Sequence, residues 1–130
     1  MSQKPVELIL TRQLASNLAV PVFLVDVDGT LLFYNEPAEH VLGMRFEETG
    51  ELPPAEWSTL YSPTADDGTV IPPERLPLMT AVTAQRPAHG TFWIRGLDGG
   101  RRHIETTAFP LIRPGGQVVG AVAIFWETDR

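Results

Sequence analysis

Two glycine-containing turns divide the last third of the chain into three segments rich in strand-forming residues, and this pattern constrains the fold most strongly. The turns are residues 97–100, Leu-Asp-Gly-Gly, and residues 113–116, Arg-Pro-Gly-Gly. Residues 91–95, 101–109 and 117–126 flank them and carry many β-branched and aromatic side chains. Strands joined by such short turns pair antiparallel, so the sequence predicts a three-stranded meander.

A second strand–turn–strand pattern lies near the start of the chain. Residues 22–25 and 31–34 are largely apolar, and Asp28-Gly29 stands between them. An Asp-Gly turn flanked by two such runs is typical of a β-hairpin. Together with the meander, this hairpin predicts a sheet of five antiparallel strands.

Helices are predicted between the hairpin and the meander. Asn35 is suited to cap a short helix and Gly43 to end it. A longer helix is predicted over residues 74–85, where prolines precede and follow an apolar stretch. Residues 47–72, which are rich in Pro, Asp, Thr and Gly, predict irregular structure or single helical turns around Trp57.

Apolar residues also recur before the first strand, every fourth position over residues 6–18. They are typical of one stripe of an amphipathic helix and comprise Val6, Leu10, Leu14 and Leu18, with Ile9 beside them. We expect residues 1–19 to form an amphipathic helix that acts as a cap or a dimer element. Residues 20–130 are expected to form an α+β domain, a five-stranded antiparallel sheet with helices on one face.

Composition excludes several kinds of chemistry. The 130 residues contain no cysteine, which excludes disulfides, thiolate metal sites, iron–sulfur clusters and cysteine nucleophiles. The net charge of −6 disfavours nucleic acid as a partner, because a phosphate backbone attracts clustered Lys and Arg. No apolar run reaches the roughly 18–20 residues that cross a bilayer. We also find no secretion signal, so we expect a cytoplasmic protein.

The segment Asp26-Val27-Asp28-Gly29-Thr30 offers an enzymatic alternative, because it is similar to the nucleophile motif of haloacid-dehalogenase-like phosphatases. In those enzymes the first Asp attacks phosphorus and the second protonates the leaving group. They are built on a parallel sheet, whereas here a second strand follows almost at once. A plain Asp-x-Asp-Gly hairpin turn is therefore the preferred interpretation of Asp26 and Asp28, and we expect no enzymatic activity.

Followed to its C-terminus, the chain resembles a PAS domain over about residues 18–127. The resemblance is carried by short motifs in order and spacing: residues 25–31 through Asn35, Ala38 and Leu42-Gly43; Asp67-Gly68-Thr69, Pro72, Pro77-Leu78 and Ala81; residues 97–100; Pro110-Leu111; and residues 116–120. One departure is at the end, where the family often has Asp-Ile-Thr and this chain has Glu127-Thr128-Asp129.

The resemblance implies a sensory or regulatory module of a bacterial signal-transduction protein, such as a two-component system. Such a module would bind a small ligand in an apolar pocket, mediate homodimerisation, or do both. An effector domain such as a histidine kinase is a possible partner. A haem- or flavin-loaded redox or gas sensor is the alternative function, although a flavin–cysteinyl adduct cannot form without cysteine.

The resemblance also implies that Pro110 faces the helices, and strand alternation then assigns inward and outward side chains. The expected ligand-binding residues point inward or lie on the longer helix: Phe23, Val25, Tyr34, Met79, Ile94, Ile104, Thr106 and Phe125. Such a pocket is apolar, with the hydroxyls of Tyr34 and Thr106 as orienting groups. The alternative interpretation is that these side chains simply fill the core.

The outward positions of the same strands carry too much apolar surface for a solvated sheet. The N-terminal helix or a second copy of the domain would cover them. We expect a homodimer interface formed by Leu10, Leu14, Trp93, Phe109, Ile124 and Trp126.

The cofactor is left open by the sequence. Haem requires an axial ligand, for which His89, His40 and Met79 are the candidates. Ordinary surface histidines are the preferred interpretation, and the separated histidines predict no metal site.

Overall fold

Five antiparallel strands form one sheet in the computed structural model, which describes residues 4–128. The strands are β1 (Val22–Asp26), β2 (Leu31–Tyr34), β3 (Ala88–Arg95), β4 (Arg101–Ile112) and β5 (Val118–Glu127), in the spatial order β2-β1-β5-β4-β3. The predicted hairpin and meander are therefore both confirmed. Residues 1–3 of the predicted N-terminal helix and residues 129 and 130, with Asp129 of the terminal motif, lie outside the described residues.

The helices are α1 (Val6–Ala15), α2 (Glu36–Leu42), α3 (Phe46–Thr49), α4 (Pro54–Tyr61) and α5 (Pro77–Ala84), and a 3₁₀ turn covers Pro73–Arg75. Helices α2, α4 and α5 contribute to the core on one side of the sheet, called here the inner face. Helix α1 packs on the opposite, outer face. The predicted α+β class, with the N-terminal helix apart from the others, is confirmed.

Asn35 fixes the start of α2 and also joins three parts of the chain. Its Oδ1 accepts hydrogen bonds from the Ala38 N–H (3.2 Å) and the Val22 N–H (3.0 Å). Its Nδ2 donates to the carbonyl oxygens of Ala15 and Val20, each at 2.9 Å. The buried amide therefore caps α2, as predicted, and holds the end of α1 against the start of β1.

The longer helix predicted over residues 74–85 is wrong in its first turn. Leu76 is extended (φ −72°, ψ 146°), so the 3₁₀ turn and α5 are separate elements. Pro77 explains the break, because a proline ring disfavours helical geometry in the preceding residue. Residues 47–72, predicted to be irregular or single turns, include the two-turn helix α4, which begins at Pro54.

Helix α1 packs on the sheet through a different stripe from the predicted one. Leu8 and Ala15 are buried against outward residues of β1, β2 and β5, whereas Leu10 and Leu14 are 58% and 60% exposed. Gly120 of β5 explains the choice, because a Cβ there would lie 2.7 Å from Leu8 Cδ2. The missing side chain lets Leu8 approach the strand closely.

Strand register confirms the predicted alternation of side chains. Phe23 and Val25 of β1 pair with Ala123 and Ala121 of β5, and all four belong to the inner-face core. The neighbouring outward residues Val22, Leu24 and Val122 belong to the cluster beneath α1. One sheet therefore supports two separate apolar clusters.

Candidate functional site

A cavity of about 70 Å³ lies between the inner face of the sheet and helices α4 and α5. Its wall is almost entirely carbon, although two of its residues carry hydroxyl groups. The lining residues are Phe23, Leu42, Trp57, Tyr61, Pro63, Leu76, Pro77, Leu78, Phe92, Ile94, Ile104, Thr106, Ala123 and Phe125. This volume exceeds the roughly 10–15 Å³ that a single water molecule needs.

Three aromatic rings form one corner of the cavity. The ring of Phe23 lies edge-on to Trp57, with 5.3 Å between centroids, and edge-on to Tyr61 at 6.4 Å. The indole of Trp57 donates from Nε1 to the carbonyl oxygen of Gly29 at 2.9 Å. This hydrogen bond ties α4 to the β1–β2 turn, so the corner is held by both elements.

The hydroxyl groups near the cavity differ in their partners. Thr106 donates from Oγ1 to the Ile124 carbonyl oxygen at 3.3 Å. Tyr61 Oη is buried beside the Tyr34 hydroxyl and makes no hydrogen bond of normal geometry to any group among residues 4–128. Burial, and then the neighbouring Tyr34 hydroxyl, raise the pKa of Tyr61 far above its ordinary value. The Tyr61 hydroxyl is therefore neutral at physiological pH.

Five of the eight predicted ligand-binding residues line the cavity: Phe23, Ile94, Ile104, Thr106 and Phe125. Val25 and Tyr34 belong to the same core but not to the cavity wall, and Met79 packs against that core half-buried. The Tyr34 hydroxyl donates to the Met44 carbonyl oxygen at 2.9 Å, and burial raises the pKa of Tyr34. Tyr34 therefore stabilises the chain after α2, and it does not belong to the cavity wall.

Sequence reasoning missed the wall contributed by α4. Trp57 and Tyr61 are four residues apart and follow Pro53-Pro54, a spacing and a start signal that indicate a short helix with one apolar face. Phe92 was missed for a different reason. Only Ile94 of β3 was predicted to line the pocket, although Phe92 and Ile94 both lie on the inward side of that strand.

Haem and flavin do not fit the cavity. The cavity volume of about 70 Å³ is far below the volume of either group, and no charged residue is among those that line it. The axial candidates lie elsewhere: His40 is exposed on α2, His89 Nε2 lies 2.7 Å from Glu105 Oε2, and Met79 lies near Gly29. Within the described residues, no cluster of three His, Asp or Glu side chains could hold a metal ion.

Asp26 belongs to the β1–β2 turn. Its Oδ1 accepts hydrogen bonds from the N–H groups of Asp28 (2.9 Å) and Thr30 (3.1 Å). The sheet around it is antiparallel, unlike the parallel sheet of the phosphatases considered above. The structure thus gives this carboxylate a turn-forming role.

The predicted dimer residues lie in three settings. Leu10 and Leu14 are exposed on α1, and Phe109 and Trp126 are exposed on the outer face of β4 and β5. Ile124 is half-buried beside the α1 cluster. Trp93 is partly covered by its own chain, because the Arg101 guanidinium lies 4.3 Å from its ring centroid. Their role in a dimer stays a prediction.

The sheet, its helices and the apolar cavity together define an α+β domain with a small space between a five-stranded antiparallel sheet and its helices. A family model described as PAS fold matches residues 15–130. The chain therefore belongs to the PAS family, whose members are generally sensory, non-enzymatic modules that commonly dimerise and link to kinases. No match is found among the curated proteins. No helix in residues 4–128 has both the length and the apolar character required to span a membrane.

Solved structures share this fold at low sequence identity. A PAS domain from Colwellia psychrerythraea is 20% identical with a TM-score of 0.67, covering 92% of this chain and 97% of that one. The PAS domain of BvgS from Bordetella pertussis is 14% identical with a TM-score of 0.68, covering 97% and 89%. A LOV protein from Rhodobacter sphaeroides is 13% identical with a TM-score of 0.74, covering 97% and 70%.

Proposed function

We propose that this chain is a sensory domain of a bacterial signal-transduction protein and binds a small, uncharged, largely hydrocarbon molecule between its sheet and helices α4 and α5. The observation that carries the proposal is the unfilled carbon-lined space of about 70 Å³. Protein interiors are otherwise densely packed, and an apolar cavity of this kind is a typical ligand site.

The hydrogen bonds around the cavity limit the chemistry of the ligand. Trp57 Nε1 and Thr106 Oγ1 already donate to backbone carbonyl oxygens, which leaves Tyr61 Oη as the hydroxyl without a partner among residues 4–128. Burying a polar group without a partner costs roughly 1–3 kcal/mol, and burying a charge costs more. The ligand therefore has at most one hydrogen-bonding group and no charge.

The size of the cavity limits the ligand further. An engineered cavity of about 150 Å³ in another protein takes benzene or xenon. The space here is about half as large. It suits a molecule of a few carbon atoms, and a six-membered ring would require a small outward shift of α4 or α5.

Native mass spectrometry of the protein as purified, compared with its denatured mass, tests this proposal. We expect a small extra mass that is lost on denaturation. Ala123→Leu adds bulk to the cavity wall and should abolish the extra mass. Ala84→Leu, at the exposed end of α5, is the matched control and should retain it. Retention of the same mass by both variants would place the ligand elsewhere.

Homodimerisation is a second proposed function, supported by the exposed apolar residues of α1. Leu10 and Leu14 are exposed together with Val6 and Ile9, which leaves an unpartnered apolar stripe on a helix already docked by its other side. Exposed apolar patches of this kind mark interaction surfaces. We propose that this stripe and the outward residues Phe109, Ile124 and Trp126 meet a second copy of the chain.

Sedimentation at about 50 μM tests the dimer, because association depends on concentration. We expect the wild-type chain to sediment as a dimer and Leu14→Glu to sediment as a monomer. Val70→Glu replaces another exposed apolar residue, away from α1, and should leave the dimer intact. A wild-type monomer at this concentration would contradict the proposal.

In the cell, we propose a cytoplasmic location and an output through an effector domain such as a histidine kinase in a two-component system. We further propose that the domain itself is not an enzyme, which the turn-forming role of Asp26 supports. The purified chain should hydrolyse no phosphate ester with Mg²⁺ and should show no visible absorbance. Hydrolysis that is lost in Asp26→Asn would contradict the first statement, and a haem or flavin spectrum would contradict the choice of ligand.

A further inference from the structure

A buried histidine lies on the outer face of the sheet, away from the cavity. His103 of β4 is 4% exposed, and its ring lies edge-on to the Trp93 ring with 4.9 Å between centroids. Its Nδ1 shares a hydrogen bond with the hydroxyl of Thr128, just after β5. Its Nε2 is buried and has no hydrogen-bond partner in the described part of the chain.

Residues 63–71, called here the edge hairpin, lie against this histidine. The hairpin is anchored to β3, the strand at one edge of the sheet, by two backbone hydrogen bonds between Thr64 and Trp93, at 2.9 and 2.8 Å. The Trp93 indole donates from Nε1 to Asp66 Oδ1 at 3.0 Å. The same Asp66 oxygen lies 3.9 Å from His103 Nε2, which is too long for a hydrogen bond and within reach of an ion pair.

We propose that His103 is a proton-operated latch that joins the edge hairpin to the chain after β5. A neutral imidazole has one N–H donor. With that proton on Nδ1, the Nε2 lone pair faces the Asp66 carboxylate; with it on Nε2, the ring points its N–H at Asp66 while Nδ1 accepts from the Thr128 hydroxyl, and neither contact is charge-assisted. A proton taken up from solvent gives both nitrogens an N–H and the ring a positive charge, so the contact with Asp66 becomes an ion pair while Thr128 stays bound.

The charged groups on this face act on the protonation of His103 in opposite directions. Asp66 of the hairpin favours the protonated ring. Arg101, which stacks on Trp93, opposes it, as do burial and Arg95 on the same side of β3. Glu105 of β4 faces the same side and is paired with His89 of β3. Imidazole ordinarily titrates between pH 5 and 8, so acidification within this range should tighten the latch.

The edge hairpin also begins at the cavity, because Pro63 lines its wall. A latch that positions the hairpin would therefore make binding in the cavity dependent on pH, and binding would in turn shift the protonation of His103. This second consequence rests on the proposed ligand site, whereas the latch itself does not. The two are tested separately.

Nuclear magnetic resonance of the intact chain from pH 5 to 8 tests the latch without any ligand. We expect the chemical shifts of the His103 ring nitrogens and of the Asp66 and Thr128 amides to change with pH around one shared midpoint. His89→Gln, which removes the other histidine of this face, should leave that midpoint unchanged. Ring chemical shifts of His103 that do not change over this pH range, or that change without a matching change at the two amides, would overturn the proposal.

Asp66→Asn separates the two arms of the latch. The hairpin amides should then lose their dependence on pH, while Thr128 continues to follow His103. Asn keeps a side-chain oxygen that can accept from Trp93 Nε1, so we expect this variant to fold. Hairpin amide shifts with the same pH dependence as in the wild type would show that Asp66 is not the partner and would overturn the proposal. With the latch confirmed, an absence of bound ligand would count against the cavity proposal alone.

Discussion

The two faces of the sheet bury apolar surface in different ways. On the inner face, residues from α2, α4 and α5 join the strands in one large cluster, yet the large aromatic rings leave a space of about 70 Å³ unfilled. On the outer face, α1 covers a smaller cluster of aliphatic residues over β1, β2 and part of β5. The smaller outer cluster is held by the hydrogen bonds of Asn35 and by the close approach of Leu8 to Gly120. The larger inner cluster leaves an unfilled space.

The largest expected effect concerns the aromatic corner of the inner face. Phe23→Ala removes a ring that contacts Tyr34, Trp57 and Tyr61, and it should lower the free energy of unfolding by about 4 kcal/mol. Phe33→Ala on the outward side of β2, where the ring is half-buried, should cost much less. Urea unfolding of both variants measures the difference. Equal losses would contradict the distinction between the two clusters.

Asn35→Ala should detach α1 from the sheet. The substitution removes four hydrogen bonds of a buried amide, and we expect a loss of about 3 kcal/mol, because buried backbone groups are left without partners. Asn17→Ala removes a single exposed hydrogen bond to Gln13 and serves as the control. Hydrogen exchange should show faster exchange throughout α1 in Asn35→Ala alone. Unchanged protection of α1 would contradict this anchoring role.

Gly120 and Gly90 allow the two faces to be compared with the same substitution. A Cβ at Gly120 would lie 2.4 Å from the Val25 carbonyl oxygen, so Gly120→Ala should cost about 2 kcal/mol through overpacking under α1. A Cβ at Gly90 would lie 3.1 Å from Pro77 Cγ, which a small shift of α5 relieves. The midpoint temperature of thermal unfolding of Gly120→Ala should be well below that of Gly90→Ala. The reverse order would be inconsistent with the close approach of α1.

The smallest effect has the opposite sign. Tyr61→Phe removes a buried hydroxyl that has no hydrogen-bond partner within residues 4–128, and it should stabilise the ligand-free chain by about 1 kcal/mol. Tyr34→Phe removes a hydroxyl that donates to Met44 and should destabilise the chain by about 1 kcal/mol. Chemical denaturation distinguishes the two. Destabilisation by Tyr61→Phe would mean that this hydroxyl makes an interaction in the folded state.

The strands, the family and the alternation of the sheet were predictable from the sequence, because turn residues and period-two patterns are local signals. The Asp-Gly and Gly-Gly turns set the strand limits, and the cap at Asn35 set the start of α2. These features depend on residues that are neighbours in the chain. The family resemblance supplied the side of the sheet that faces the helices, and strand alternation then placed Ile94, Ile104 and Phe125 inward.

The features that the sequence did not predict are contacts between distant segments. The stripe of α1 that meets the sheet depends on the gap at Gly120, more than a hundred residues away, and two stripes of that helix are apolar. The cavity wall depends on how α4 lies across Phe23, which no local pattern predicts. The contact between Asp66 and Trp93 likewise joins a loop to a strand that follows it much later in the sequence.

The central claim is that the space on the inner face is a binding cavity. Methyl resonances of the chain under xenon pressure test it most directly, because xenon is apolar and small enough to enter such cavities. Ile94 and Ile104 line the cavity, whereas Ile9 and Ile112 are exposed. We predict saturable shifts for the first pair and none for the second. An absence of shifts at Ile94 and Ile104, or equal shifts in both pairs, would contradict the account.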